Sequence, residues 1–257
     1  MGLLLKTGIN NDLVISALIA FLTILFLIIS INLVPVLKNK LPNYSLQLGG
    51  LIGNTSFLGI PLAIALLPTS TINFTIGFDL GTTLFAWIFG PYLLHKKSIK
   101  NSSLNFTRFL SSIFISPASR GIIGVLVVYL LGLEDIMGEI LWIPARIVIV
   151  FAIIIVGTRI GIITKDKTSF FDLKDGLKYT VLLKILFLPL IIYLICCVIN
   201  FNKIETIALV LQAATPSAIS TILMAEAYKV NQDLAAKILF TTTTISMISL
   251  SLLTIIL

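Results

Sequence analysis

Residues 50–67, GLIGNTSFLGIPLAIALL, belong to a long apolar run yet gather residues that loosen or break helices: Gly53, Asn54, Thr55, Ser56, Gly59 and Pro61. Proline lacks an N–H and clashes with the carbonyl four residues back, so Pro61 is expected to free the carbonyl of Phe57. In lipid no water repairs that loss. An interrupted helix persists there only where neighbouring helices, polar side chains or an aqueous cavity take up the orphaned groups. Asn54, Thr55 and Ser56 stand where they could do so, and the run reads as a broken membrane helix with a binding site at the break.

The rest of the chain supports the membrane half of that reading. Of 257 residues, 58% are hydrophobic and 11% charged, and the mean hydropathy is +1.10. Soluble domains carry about 45–50% apolar and about 25% charged residues. A hydrocarbon core about 30 Å thick takes about 20 apolar residues per helix. On that measure about eight segments span it, approximately 13–36, 45–67, 72–94, 109–132, 137–160, 178–200, 205–228 and 234–256. They are too long for barrel strands and do not alternate, so the expected class is an all-α polytopic membrane protein. The first segment reads as a retained span rather than a signal peptide, because it has no small-residue cleavage site and its positive charges, Lys38 and Lys40, follow it. The opening MGLLLK has Lys6 where a myristoylation signal needs Ser or Thr.

The net charge of +7 falls between apolar segments, with no basic stripe interleaved with aromatics, which argues against a nucleic-acid partner. Alternate connections separate by charge. One set holds Lys38 and Lys40; Lys96, Lys97, Lys100 and Arg108; Arg159, Lys165, Lys167, Lys174 and Lys178; and Lys229. The other set, with both termini, holds little more than Lys6 and Lys203 against Asp12, Glu134, Asp135 and Glu205. By the positive-inside rule the first set is cytoplasmic and both ends are extracytoplasmic. The longest connection, TKDKTSFFDLKDGLK, is too short for a folded domain. Cys196 and Cys197 are adjacent in an apolar run, without disulfide or metal spacing, and read as two small buried residues.

A second interruption lies in LQAATPSAISTILMAEAYKV, residues 211–230, where Pro216 is expected to free the carbonyl of Gln212 amid Thr215, Ser217, Ser220 and Thr221. Paired broken helices in corresponding positions of two halves point to a secondary transporter with a mid-membrane site. Half-helix N-termini suit anionic groups, and the opposite carbonyl ends suit cations such as Na⁺. The competing explanation is ordinary packing, since Gly and Pro are common in membrane helices and Gly49 with Gly53 forms a small-xxx-small pair.

Asp79 and Arg146 lie mid-span, where a charge is costly unless paired or solvated. If they meet they form a buried pair; if not, each faces an aqueous cavity. Asp79 could then couple transport to a cation or proton, and Arg146 could attract a carboxylate. Lys184 is expected to snorkel to the headgroups as an anchor. Trp87, Trp142 and Tyr228 fit an aromatic belt, and His95 is a lone interfacial residue. No HExxH, GxGD or GxSxG motif is present, so no enzyme, catalytic residue or metal site is expected.

Three stretches also carry a resemblance. GNTSFLGIPLAIALL resembles the fourth-helix motif of the auxin efflux carrier family, ATPSAISTILMAEAYKVNQDLAAKILFTTTTISMISL resembles its last two helices, and GFDLGTT is similar to the helix after the first motif. The resemblance covers nearly the whole chain, the middle spans matching mainly in hydropathy and spacing. It implies a carrier of two inverted five-helix repeats whose broken helices cross at prolines beside the substrate. By position these are Pro61 and Pro216, with Asn54 and Thr55 on one side and Thr215 and Ser217 on the other. Against ten helices in the family, the eight spans here imply that the first two are missing: residues 1–95 form a truncated first repeat and 96–257 a second, five-helix repeat, within one membrane domain. The proline expected in the span of Arg146 is displaced to Pro144.

The resulting expectation is a carrier of a small organic anion, in contact with lipid, with substrate ligands at Asn54, Thr55, Ser56, Thr215, Ser217 and Arg146. Gly53, Gly59, Pro61, Gln212 and Pro216 shape the breaks. Na⁺ or H⁺ is the only candidate coupling ion, a homodimer or scaffold partner is compatible with the shortened chain, and a plasma membrane, such as a bacterial inner membrane, is the expected location. The alternative is a non-transporting membrane subunit or inactive remnant of such a carrier.

Overall fold

The computed structural model describes residues 2–98, 117–165 and 176–256, which are helical apart from short links and one isolated antiparallel bridge, Gly53 with Ser217. In chain order the helices are α1 (Gly2–Thr7), α2 (Asn11–Leu33), α3 (Pro35–Lys40), α4 (Tyr44–Leu51), α5 (Ile60–Leu66), α6 (Ile72–Ser98), α7 (Pro117–Leu130), α8 (Glu134–Lys165), α9 (Leu177–Leu182), α10 (Leu188–Ile199), α11 (Lys203–Ala213), α12 (Ile219–Ala227) and α13 (Gln232–Ile256). Two π-turns, Thr55–Gly59 and Leu183–Phe187, lead into α5 and α10.

Four helical stretches among the described residues are long and apolar enough to cross a membrane: Asn11–Leu33, Thr69–Leu94, Leu177–Ile199 and Gln232–Leu252. The protein is all-α and of membrane-embedded character, but these four helical stretches do not match the expected count of about eight segments. The physical reason is in the breaks. The segment expected at 45–67 divides into α4, a π-turn and α5, and that at 205–228 into α11 and α12, so no piece of either is long enough alone. The start of the segment expected at 109–132, the loop residues Lys100, Arg108, Lys167 and Lys174, and most of the connection between α8 and α9 lie outside the described residues.

Local chemistry sets the helix ends. Asn10 caps α2 by accepting the N–H of Leu13 at 3.0 Å. Val34 leaves helical geometry because a residue before proline is pushed toward extended backbone, and Pro35 then opens α3. Asn200, at φ 62°, ends α10 in the left-handed conformation. Asn202 and Glu205 form a reciprocal capping box on α11.

Helix α2 buries Leu13, Ser16, Ile19, Ala20, Thr23, Ile24, Ile28 and Ile31, a stripe of helical period, and turns Leu18, Leu22, Phe26 and Leu33 outward. In water those exposed side chains would be a liability; against lipid they are the outer face. The buried stripe lies against α6, where Gly77 and Gly81 let the backbones meet: a Cβ at Gly77 would strike Leu13 and Ser16, and one at Gly81 would strike the Ala17 carbonyl. Phe21, Phe85 and Phe89 fill the next layer, with ring centroids 5.1–6.0 Å apart. The α2–α6 pair thus holds Asp79, on α6, in fixed relation to the broken segment beside it.

Candidate functional site at the crossing of two broken helices

The first break falls at Ile52–Asn54, seven or more residues before Pro61. Ile52 has extended angles (φ −89°, ψ 118°) and Asn54 lies at φ −78°, ψ 55°. Pro61 lies inside the continuous helical stretch Thr55–Leu66, just after the π-turn Thr55–Gly59, whose wider hydrogen-bond spacing accommodates its missing N–H. The second break runs from Thr215 through Ala218, with Pro216 inside it. The two extended pieces pair as a minimal antiparallel ladder: Asn54 N–H donates to the Pro216 carbonyl at 2.7 Å, and Ala218 N–H to the Ile52 carbonyl at 3.0 Å. The crossing is therefore made by Gly53 and Ser217; Pro216 lies within the paired stretch, whereas Pro61, expected to cross it, lies outside.

Gly53 is required by contact. A Cβ there would lie 2.5 Å from Thr215 Oγ1 and 2.8 Å from Lys184 Nζ. Ser217 is fully buried; its Oγ donates to the Gly49 carbonyl at 2.5 Å and its N–H donates to Thr242 Oγ1 at 3.2 Å. Thr215, also fully buried, donates from Oγ1 to the Gln212 carbonyl at 2.8 Å. These two side chains, expected among substrate ligands, are engaged in holding the break. The carbonyl that Pro216 frees is taken by Thr215 rather than left for cargo.

The first break is equipped differently. Thr55 Oγ1 and Ser56 Oγ both donate to Asp79 Oδ1, at 2.6 and 2.5 Å. Hydrogen bonds to a charged acceptor contribute about 1.5–3 kcal/mol each. They also place a carboxylate beside the positive end of the segment that starts at Thr55. An Asp79–Arg146 pair is not described: Arg146 lies on α8 with its side chain outside the described residues.

A cavity of about 360 Å³ opens against this loop. Its wall comprises Ile52 to Phe57 from the first break; Ala218, Ile219, Ser220 and Leu223 from the start of α12; and Thr82, Thr83, Ala86 and Trp87 from α6. Asn54, Thr55 and Ser56 are thus brought together at one cavity, whereas Thr215 and Ser217 lie behind it. Sequence reasoning missed Thr82 and Thr83, and assigned Trp87 to an aromatic belt although it lines this wall. A signal was present: 79, 82, 83, 86 and 87 share one helical face, the face that carries Asp79.

Lys184 departs furthest from expectation. It is 1% exposed, far from an anchor reaching for headgroups, and its Nζ donates to the Ala213 carbonyl, the last of α11, at 3.0 Å. Its π-turn is the counterpart of the first: Lys184 stands five residues before Pro189 as Ser56 stands before Pro61 (184 to 189, 56 to 61). Such turns concentrate at functional sites. Gln212 is also fully buried and packs on Gly59, with neither amide atom hydrogen-bonded. Cys196 is buried, while Cys197 is exposed rather than buried as expected.

A larger cleft, about 840 Å³, lies among Val36, Lys40, Tyr179, Asp233 and Lys237 and shares no residue with the crossing. It carries both signs of charge and includes Asn43, the N-cap of α4, but no residue of either break lines it. Among the described residues no group of three or more His, Cys, Asp or Glu side chains is placed to hold a metal ion. Compared with models of known protein families, the chain matches none, and compared with curated proteins it matches none.

Proposed function

We propose that the protein is a secondary transporter that moves a small organic anion by alternating access to the cavity at the crossing. The observation that carries this reading is the backbone bridge between two interrupted helices with a cavity of about 360 Å³ against it. Broken helices meeting in the interior of a membrane bundle are a recurrent means of offering polar backbone to cargo away from water. The starts of both second halves, Thr55 and Ile219, line the cavity, and helix N-termini favour negative charge. Asp79 already compensates the first of these ends through Thr55 and Ser56. The start of α12, with Ser220, is left as the seat for a carboxylate.

The resemblance to auxin efflux carriers agrees with this assignment and extends it to two inverted repeats, eight spans counted through the breaks, and a plasma-membrane location. Cargo enters from one side, the halves of the bundle move about the crossing, and cargo leaves on the other, driven by its own gradient or by coupled Na⁺ or H⁺. The reading is of a carrier rather than an enzyme.

The test is uptake of labelled malate, malonate and an indole carboxylate into proteoliposomes, with and without imposed Na⁺ and pH gradients. Saturable uptake of one of them, abolished by Ser220→Trp, which fills the cavity, is the expected result. Absence of uptake of all three by well-folded protein would favour a non-transporting membrane subunit instead.

A further inference from the structure

The crossing is flanked by two ionisable side chains, Asp79, half-buried, and Lys184, buried, with no ion pair between them. Asp79 reaches the cavity loop from α6 through the hydroxyls of Thr55 and Ser56. Lys184 is bonded to the Ala213 carbonyl and packs against Gly53, which lines the cavity while Lys184 does not: a Cβ at Gly53 would lie 2.8 Å from Lys184 Nζ. Neither side chain lines the cavity, and both contact the loop that does, Lys184 at Gly53 and Asp79 at Thr55 and Ser56.

We infer that Lys184 sets the charge of the cargo: its ammonium offsets the Asp79 carboxylate across the loop, so that the start of α12 can hold an anion. The inference rests on the transporter reading and deepens it. A single carboxylate beside a cavity of low dielectric repels a second one strongly, because the interaction of unit charges grows as solvent is removed. With Asp79 alone the cavity would carry net negative charge and reject a carboxylate, whatever the N-terminus of α12 offers. With Lys184 present the fixed charges cancel, and the half-helix end decides the sign. Lys184 also compensates the negative end of α11, which keeps its charge at the crossing instead of at the membrane surface. It touches no cargo and is a positioning residue that acts through Gly53 and the field.

The experiment is calorimetric titration of the full chain in nanodiscs with malonate and with its neutral diamide, malonamide. For Lys184→Met, malonate affinity is expected to fall at least about tenfold while malonamide affinity changes less than about threefold. A tenfold change corresponds to about 1.4 kcal/mol. Lys184→Arg is expected to keep the wild-type preference for the anion. The double variant Lys184→Met, Asp79→Asn removes both charges and is expected to recover malonate binding to within about threefold of wild type. A structural role for Lys184 predicts no such recovery.

Should Lys184→Met alone fail to fold, the double variant still decides, since it leaves neither charge uncompensated by the other. Wild-type malonate affinity in Lys184→Met, or a folded double variant that does not bind malonate, would overturn the inference while leaving the carrier intact. Wild-type protein that binds neither compound and takes up no labelled anion would overturn the transporter reading and this one together.

Discussion

The two breaks look alike in the sequence, each a proline among small and hydroxyl-bearing residues, but they do different work. In the second, Pro216 lies in the extended piece, and Thr215 and Ser217 donate to Gln212 and Gly49 carbonyls, so both of these hydroxyls are fasteners and only Ser220, beyond them, reaches the cavity. In the first, the proline stands beyond the break, and Thr55 and Ser56 point at Asp79 on a cavity wall. One break holds the crossing together while the other presents it. A hydroxyl near a membrane proline therefore has no fixed meaning; what matters is whether its partner is the freed backbone or a side chain from another helix.

Substitutions can break or sharpen that contrast. The largest effect is expected at Gly53, where both breaks meet. Gly53→Leu must displace Thr215 Oγ1 and Lys184 Nζ, 2.5 and 2.8 Å from the new Cβ, at a cost of about 3 kcal/mol or more. Thermal unfolding in detergent should show a large loss of Tm or no folded protein, while Gly121→Ala, where nothing lies within 4 Å, should be close to neutral.

The next pair separates fastener from presenter. Ser217→Ala leaves the Gly49 carbonyl without its donor and is expected to lower stability by about 1–3 kcal/mol, with transport per folded molecule nearly intact. Ser56→Ala removes one of two donors to Asp79 and should lower uptake severalfold with a smaller change in Tm. If both variants lose stability equally and uptake equally, the division of labour is wrong.

Smaller effects are expected at the first proline and at the idle amide. Pro61→Ala, at a helix position where the preceding π-turn already accommodates proline, should change stability by less than about 1 kcal/mol, whereas a substitution at the break itself would matter more. Gln212→Met replaces a buried amide that has no hydrogen-bond partner with an apolar chain of similar length. It should be neutral or raise Tm by about 2–4 °C.

Much of this was legible beforehand, and the failures are physical. Gly53, Asn54 and Pro216 marked the breaks because backbone freedom and a missing N–H are local properties. Pro61 misled because a missing N–H says where a hydrogen bond is absent, whereas the chain leaves the helix where an opposing strand accepts it, at Ile52–Asn54 opposite Pro216–Ala218. Lys184 misled because snorkelling depends on where a span sits and which way it faces, and here the side chain turns inward to the end of α11. Two of the expected spans, 45–67 and 205–228, are not long helices for a related reason: a broken segment satisfies a hydropathy window as one piece but folds as two.

Trp87 offers the most direct measurement of the central claim, because it lines the cavity and only one other tryptophan, Trp142, is present. In a Trp142→Phe background, the fluorescence of Trp87 should change saturably on addition of the transported anion, with half-saturation at the concentration that half-saturates uptake, and the change should vanish in Ser220→Trp once the added tryptophan's own signal is subtracted. Saturable uptake with no response at Trp87, and unaltered by Ser220→Trp, would place the cargo elsewhere and contradict the crossing as its site.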